Sequence, residues 1–145
     1  MWPGCRASVS ASGLVYGGTS TDGYLFSYDP ETGVLVNHGK PSRQSHLRAL
    51  AEGHEGLIYG VVEEPQGMAH FFTFDPTAHE FRDLGIVGSA FPEYWPAHSL
   101  GAMCVGPFGE IFLGETDRIS HLFLYYPPIP RSPVSTGRYP GRPEE

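Results

Sequence analysis

The sequence has 145 residues, with 9 Lys and Arg against 16 Asp and Glu, which gives a formal net charge of −7 at pH 7. Apolar residues make up 40% and charged residues 17%, below the usual charged content of about 25%, so we expect a packed core rather than a disordered chain. Net acidity argues against a nucleic-acid partner, and no apolar run approaches the roughly 18 residues of a membrane span.

The start of the sequence contains neither the basic segment nor the apolar segment of a secretory signal. We therefore predict no signal peptide in the chain as given, and an extracytoplasmic location stays open if the full protein is longer. Cys5 and Cys104 are far apart and lack metal-binding spacing, so we expect two small thiols that face the core.

A repeat is the main signal in the sequence. Gly-apolar-aromatic runs recur at 13–17, 56–60 and 109–114, and aromatic runs that end in proline recur at 25–30, 71–76 and 122–127. Small apolar runs precede the three units at 7–9, 49–51 and 102–105, and a fourth run closes the first two units at 35–39 and 81–85. Each unit therefore predicts four short strands, A to D, joined by turns.

Glycine and proline punctuate these units where turns are expected. Gly13, Gly56 and Gly109 stand where strands A and B reverse, and the run 29–33 places Pro30 and Gly33 in the turn between strands C and D. The aromatic residues of strands B and C are expected to form the core between units. They are Tyr16, Tyr59, Phe112, Phe26, Phe72 and Phe123.

One segment is ambiguous. Residues 42–52 lack Gly and Pro, and Leu47, Leu50 and Ala51 fall at helical spacing. The repeat, however, places this segment where the other units have strand A. We therefore predict a strand.

Four-stranded units of about 40–50 residues are the size of β-propeller blades. The fold class predicted is all-β, a partial β-propeller of about three four-stranded antiparallel blades at 5–39, 47–85 and 100–126, within a domain that spans 1–126. The last blade lacks its outer strand, because residues 127–145 contain 6 Pro and suggest an extended or disordered tail.

The strand ending in Tyr16-Gly17 and the hairpin Tyr28-Asp29-Pro30-Glu31-Thr32-Gly33 resemble the kelch-like group of propellers. The sequence also resembles propellers of bacterial carbohydrate-active proteins, which include polysaccharide lyases and sugar-binding proteins. The resemblance implies a propeller architecture and, by analogy alone, a carbohydrate ligand.

Closed propellers have about four to eight blades, so three are too few. The missing blades are expected either from upstream sequence, which would make this chain the C-terminal part of a larger ring, or from self-association of two chains. We favour upstream sequence, because the absent strand D of the third unit would stay absent in a dimer.

Candidate site residues lie on the face that carries the long D–A and B–C connections, since long loops on a rigid scaffold often carry function. His46, His98 and Tyr24 are catalytic candidates, with histidine as a base and arginine as the cation that neutralises a uronate carboxylate. Acidic residues such as Glu63 and Glu115 are assigned to the B–C loops, whereas His38, His54 and His79 are expected to be solvated at turns. Arg6 and Arg48 occupy the same place at the start of strand A and are ligand-binding candidates. The other ligand-binding candidates are His70, His121, Arg118, Tyr94 and Trp95.

Three functions remain open. The first is a binding or scaffold module that holds carbohydrate or a protein ligand on this face. The second is part of a polysaccharide lyase that acts on uronate-containing glycans, and the third is a truncated structural fragment with no activity of its own. No metal or cofactor is expected, because no spacing matches a metal-binding or nucleotide-binding motif, although the acidic loops leave Ca²⁺ as an alternative.

Overall fold

The computed structural model describes residues 6–43, 46–64, 67–89, 95–116 and 120–128, and all the regular structure within them is β-strand. For Arg6 and Trp95 only the backbone is described. The predictions for Tyr94, Arg118 and Cys5, and for most of the tail, lie outside the described residues.

Three antiparallel sheets, which we call blades, follow one another along the chain, each with its strands in sequence order. Blade 1 comprises β1 (Arg6–Val9), β2 (Val15–Gly18), β3 (Leu25–Tyr28) and β4 (Leu35–Gly39). Blade 2 comprises β5 (His46–Glu52), β6 (Ile58–Glu63), β7 (His70–Asp75) and β8 (Glu80–Ile86). A short pair, β9 (Gly88–Ser89) and β10 (Trp95–Pro96), lies in the next connection. Blade 3 comprises β11 (Leu100–Val105), β12 (Ile111–Glu115) and β13 (Leu122–Tyr125).

The ambiguous segment is a strand, as the repeat predicted. Residues His46–Glu52 form β5, which pairs with β6 from His46 opposite Glu63 to Glu52 opposite Ile58. The ladder to β6 satisfies the backbone groups of β5, so tertiary pairing overrides the local helical spacing.

The turns between strands A and B recur in all three blades. Gly13, Gly56 and Gly109 have φ angles of 86°, 80° and 85°, a left-handed conformation that glycine adopts without steric cost. Each turn is closed by a backbone hydrogen bond of 2.8–2.9 Å, for example from Ser10 N to Leu14 O. The prediction of a reversal at these glycines is confirmed.

The first strands of the blades form the inner side of the assembly. β5 contacts both β1 and β11, whereas within the described residues no comparable contact joins the outer strands β4 and β8. The blades therefore converge on their first strands and spread toward their last ones.

Each blade has two apolar faces. We call the face turned toward the preceding blade its leading face and the face turned toward the following blade its trailing face. Between blades 1 and 2, Tyr16 and Leu25 on a trailing face pack against Ile58, Phe72 and Phe74 on a leading face. Between blades 2 and 3 the same arrangement joins a second set of buried residues, Tyr59, Val61, Phe71, Ile111 and Leu113. Each such side chain contributes about 1.5–3 kcal/mol by its burial.

Three core predictions are wrong for one shared reason. Cys104 is exposed rather than core-facing, and Phe26 and Phe112 are only half-buried. Phe26 lies on the leading face of blade 1, and Cys104 and Phe112 are paired on the trailing face of blade 3. Neither face has a neighbouring blade among the described residues, so residues that the repeat assigns to a core remain uncovered.

The prediction that His38 is solvated at a turn is also wrong. His38 belongs to β4, is half-buried, and has Nε2 2.8 Å from the Ser27 hydroxyl. Its ring centroid is 4.7 Å from that of Phe74 in blade 2, so this histidine joins the packing between blades.

Candidate functional site

The long connections lie at one end of the blades. In a meander of four strands, the B–C and D–A connections share one end and the A–B and C–D turns share the other. We call the first end the loop-rich face; it carries the connections 19–24, 40–45, 64–69, 87–99 and 116–121. Among the described candidates, Tyr24, His98 and His121 lie in these connections, and His46, Arg48 and His70 lie at or near the strand ends that adjoin them.

Arg48 is placed by a β-bulge. Leu47 pairs with Val62 and Ala49 pairs with Val61, so Arg48 is an extra residue between them. Leu47 and Ala49 are buried, while 41% of the Arg48 side chain is exposed. A bulge can redirect a side chain in this way next to a functional site.

Arg48 forms an ion pair with Glu63, the last residue of β6. Its Nε donates a hydrogen bond to Glu63 Oε1, and the Glu63 side chain is only 3% exposed. Within the described residues, no acceptor bonds to the terminal nitrogens of Arg48. The buried carboxylate thus fixes the guanidinium at one nitrogen and leaves the rest of it for another partner.

The second oxygen of the same carboxylate is unpaired. Glu63 Oε2 is buried and accepts no hydrogen bond from any residue that the structure describes. A buried acceptor without a donor is costly, so this oxygen favours any small donor that can reach it. His46 is directly opposite Glu63 in the β5–β6 register, which makes Arg48, Glu63 and His46 one cluster near the inner strands.

A second cluster surrounds Glu115, the last residue of β12. Its side chain is fully buried; Oε1 accepts a hydrogen bond from the backbone N of His98 at 3.2 Å, and Oε2 lies 2.8 Å from His121 Nδ1. An ionised carboxylate accepts only, so this contact assigns the proton to Nδ1. Glu115 therefore links His98 of the D–A connection 87–99 to His121 of the B–C connection 116–121. In blade 1 the Thr19 hydroxyl makes only a local bond, since it accepts from Tyr24 N at 2.9 Å within the connection 19–24.

The remaining described candidates lie farther out on the blades. His70 Nδ1 is 3.4 Å from Asp83 Oδ2, but the two groups are not aligned for a hydrogen bond, so we regard the contact as electrostatic. Tyr24 is 39% exposed, and Lys40 Nζ lies 5.6 Å from the centroid of its ring. The structure thus places His46 and Arg48 on the same strand beside Glu63, and it joins the backbone of His98 and the side chain of His121 through Glu115. His70 and Tyr24 belong to neither cluster.

Two details of the sequence interpretation need correction. Glu63 and Glu115 were assigned to loops, but they end strands and are 2% and 6% exposed. Arg6 and Arg48 were treated as equivalent, but Arg6 pairs with Gly18, the counterpart of Val61, so its backbone corresponds to Ala49 instead. Extending strand B to Glu63 in blade 2 and to Glu115 in blade 3 would have placed both residues in strands, although the partners of their carboxylates are distant in the sequence.

A concavity lies at the opposite end from the candidate residues. It is a groove of about 550 Å³ between blades 2 and 3. Tyr59 and Tyr125 line it beside Arg82 and the 90% exposed Phe108. Burial, and then the hydrogen bond that the Tyr59 hydroxyl donates to Glu55, raises the pKa of Tyr59 well above its usual value. We give more weight to the loop-rich face, because an oriented cation and a buried unpaired acceptor meet there.

The described residues contain no group of three His, Cys, Asp or Glu side chains placed to hold a metal ion. They also contain no helix long and apolar enough to span a membrane.

Comparisons with known proteins identify the architecture. No protein-family model matches the sequence, and no curated protein matches it. Among solved structures, the chain is similar to selenomethionine-substituted virginiamycin B lyase from Staphylococcus aureus, with a TM-score of 0.57 and 12% sequence identity. The match covers 86% of this chain and 41% of that chain, so this chain spans about two fifths of the length of that β-propeller protein. Similarity at this level of identity shows the fold alone.

The chain is therefore an all-β partial β-propeller of about three antiparallel blades. Its third blade has three strands within the described residues and lacks the outer one, as the sequence predicted. The loop-rich face of this propeller carries the clusters around Glu63 and Glu115.

Proposed function

We propose that the chain is a propeller module, part of a larger ring of the kelch-like group, that binds acidic carbohydrate on its loop-rich face. Arg48 carries this proposal, because the buried carboxylate of Glu63 holds its Nε while 41% of its side chain is exposed. An arginine held in this way can pair with a second carboxylate through its remaining nitrogens in a two-pronged hydrogen bond. Uronate sugars present such a carboxylate.

Other groups on the same face suit the rest of a sugar. His46 is half-buried, His98 is exposed, and Tyr24 offers a 39% exposed ring. Sugar hydroxyls require donors and acceptors, and apolar sugar faces stack on aromatic rings. The net charge of −7 opposes a polyanion at long range, but screening at physiological salt limits this repulsion to about 8 Å. The local Arg48–uronate contact then determines whether the ligand binds.

The test is titration of the chain with an oligouronate, with the neutral oligosaccharide of the same length as a control ligand. Replacing Arg48 with Ala should raise the Kd for the oligouronate by roughly tenfold to a hundredfold, since a hydrogen bond to a charged group is worth about 1.5–3 kcal/mol. Arg48→Lys should recover only part of the loss, because an ammonium group cannot form the two-pronged pair.

Arg82→Ala is the matched control. This arginine lines the groove at the opposite end of the blades, so its removal should leave oligouronate binding unchanged. If Arg82→Ala abolishes binding while Arg48→Ala preserves it, the ligand occupies the groove and the assignment to the loop-rich face is wrong.

The second candidate is part of a polysaccharide lyase. His46 favours it, because this histidine is two residues from Arg48 on β5 and opposite Glu63 in the register. In this reaction a base removes the proton α to the uronate carboxylate, a C4–C5 double bond forms and the C4–O bond breaks. The departing oxygen takes up a proton, from the protonated base or from water, and leaves as a hydroxyl of the other sugar fragment. The similar solved structure is also named a lyase, of virginiamycin B.

A panel of uronate polymers tests this candidate. Turnover should raise the ultraviolet absorbance of the new conjugated double bond, and His46→Ala combined with His98→Ala should remove the increase. A flat absorbance across the panel, in a preparation that binds oligouronate, would leave the binding module as the function.

A further inference from the structure

The two end faces of this propeller segment are uncovered and apolar. On the leading face of blade 1, one cross-strand row runs through Val9, Val15, Tyr28 and Leu35. Val9 is 70% exposed, Leu35 62% and Tyr28 39%. On the trailing face of blade 3, a matching row runs through Cys104, Phe112 and Leu124, and Leu122 beside it is 70% exposed. Contiguous apolar exposure of this kind indicates an interaction surface.

Blade 2 shows what normally covers these rows. Its leading row contains Ile58 and Phe74, which correspond to Val15 and Tyr28 in blade 1, and they are 0% and 1% exposed. Its trailing row contains Tyr59, which corresponds to Phe112 in blade 3 and is 2% exposed. The leading row of blade 2 is covered by the trailing face of blade 1, and its trailing row is covered by the leading face of blade 3. The end faces thus continue an interface that already occurs twice within the chain.

The two end faces are also complementary to each other. One is a leading face and the other a trailing face, and neither row contains a charged residue that would have to be desolvated. A chain with both halves of one interface can join another copy head to tail, and two such contacts close a ring of two copies. Six blades fall within the range of about four to eight found in closed propellers.

We propose that the leading face of blade 1 binds the trailing face of blade 3 in a second copy of this chain, so that two chains form one closed six-bladed ring. The missing outer strand of blade 3, which favoured upstream sequence over self-association, leaves the outer edge of β13 open in this ring. Closure of the ring does not require that edge, because the contact is made by the faces of the sheets, including Leu124 of β13, and not by the edge of the strand. The assembly is independent of glycan binding.

Single charge substitutions on the two rows test the proposal. Leu35→Lys and Leu124→Glu each place a charge on an exposed side chain of one end face, so each should leave the individual chain folded while burying a charge in the assembly. Light scattering should show the unmodified chain as a dimer. Each variant alone should be a monomer, with a dissociation constant raised by at least about tenfold.

Mixing the two variants gives the decisive result. In the mixture, one contact joins two unmodified faces and the other joins Lys at 35 to Glu at 124, so the dimer should return. A contact between two identical faces would instead be disrupted by only one of the two substitutions. Phe108→Lys is the control, because this 90% exposed side chain is at the A–B turn of blade 3 and should leave the dimer intact.

The thiol of Cys104 gives an independent readout. With Cys5 replaced by serine, maleimide should label Cys104 slowly in the dimer and quickly in the Leu124→Glu variant, because the trailing row is covered only in the dimer. The proposal is overturned if the unmodified chain is monomeric, if it grows into open-ended filaments, or if its dimer survives either charge substitution.

Discussion

At the scale of one residue, His38 shows how packing between blades changes the pKa of a histidine. Its ring stacks at 6.0 Å on Tyr16 of its own blade and at 6.0 Å on His79 of the next. Burial, and then the charge of His79, lowers the pKa of His38 below its ordinary value. The folded protein therefore binds this proton more weakly than the unfolded chain does.

The consequence is a loss of stability in mild acid. Unfolding takes up a proton when the pH lies between the lowered pKa of His38 and its unfolded value of about 6.5. The free energy of unfolding therefore has its full value above that pH range and decreases as the pH falls through it. Urea denaturation from pH 7.5 to pH 5 should show the midpoint falling.

His38→Gln isolates this effect from the other six histidines. Glutamine retains a hydrogen-bonding group for the Ser27 hydroxyl but does not titrate, so the fall below pH 6.5 should be smaller in the variant. Equal pH profiles for the two proteins would show that His38 is protonated equally well in the folded and unfolded states.

At the scale of strands, a glycine in strand B leaves room for the ring of the aromatic residue opposite it in strand C. Gly60 is opposite Phe72 in the β6–β7 register, and a Cβ added there would overlap the Phe72 ring and approach Leu50 Cδ2 to 2.9 Å. Gly17 and Phe26 repeat the arrangement in blade 1. The glycine thus provides the space in which the ring packs between two strands.

Gly60→Ala should therefore destabilise the protein, by about 1–3 kcal/mol, because Phe72 is 1% exposed and has no room to move. The denaturation midpoint of the purified variant measures this. Gly114→Ala is the matched control, since a Cβ there would contact only Ala102 Cβ at 3.6 Å, and it should be close to neutral. A neutral result at Gly60 would mean that the two strands separate at little cost.

The sequence predicts strands, turns and repeat unit well, because these follow from local chemistry. Glycines with positive φ recur at the same turn in each blade, followed each time by strand B. This repeat correctly predicted a strand, β5, within the ambiguous segment 42–52. The placement of Glu63 and Glu115 was missed because their burial depends on partners distant in the sequence, Arg48 and His121. Composition alone assigns a carboxylate near a loop to solvent.

At the scale of the whole molecule, the repeat predicts which residues face a neighbouring blade but not whether a neighbour exists. Cys104 and Phe112 occupy core positions of the repeat, yet they are exposed or half-buried because blade 3 has no following blade in the described structure. Burial at the two ends therefore requires a neighbouring blade that the described residues do not include, whereas burial within blade 2 comes from blades 1 and 3 of the same chain.

The bulge in β5 has a consequence for how such a protein can change over generations. Arg48 is an inserted residue, so the alternation that buries Leu47 and Ala49 continues on either side of it. One added codon thus introduces a charged group near the centre of the molecule without replacing any residue of the interior. Ligand recognition can be gained, altered or lost at this position while the inherited scaffold stays the same.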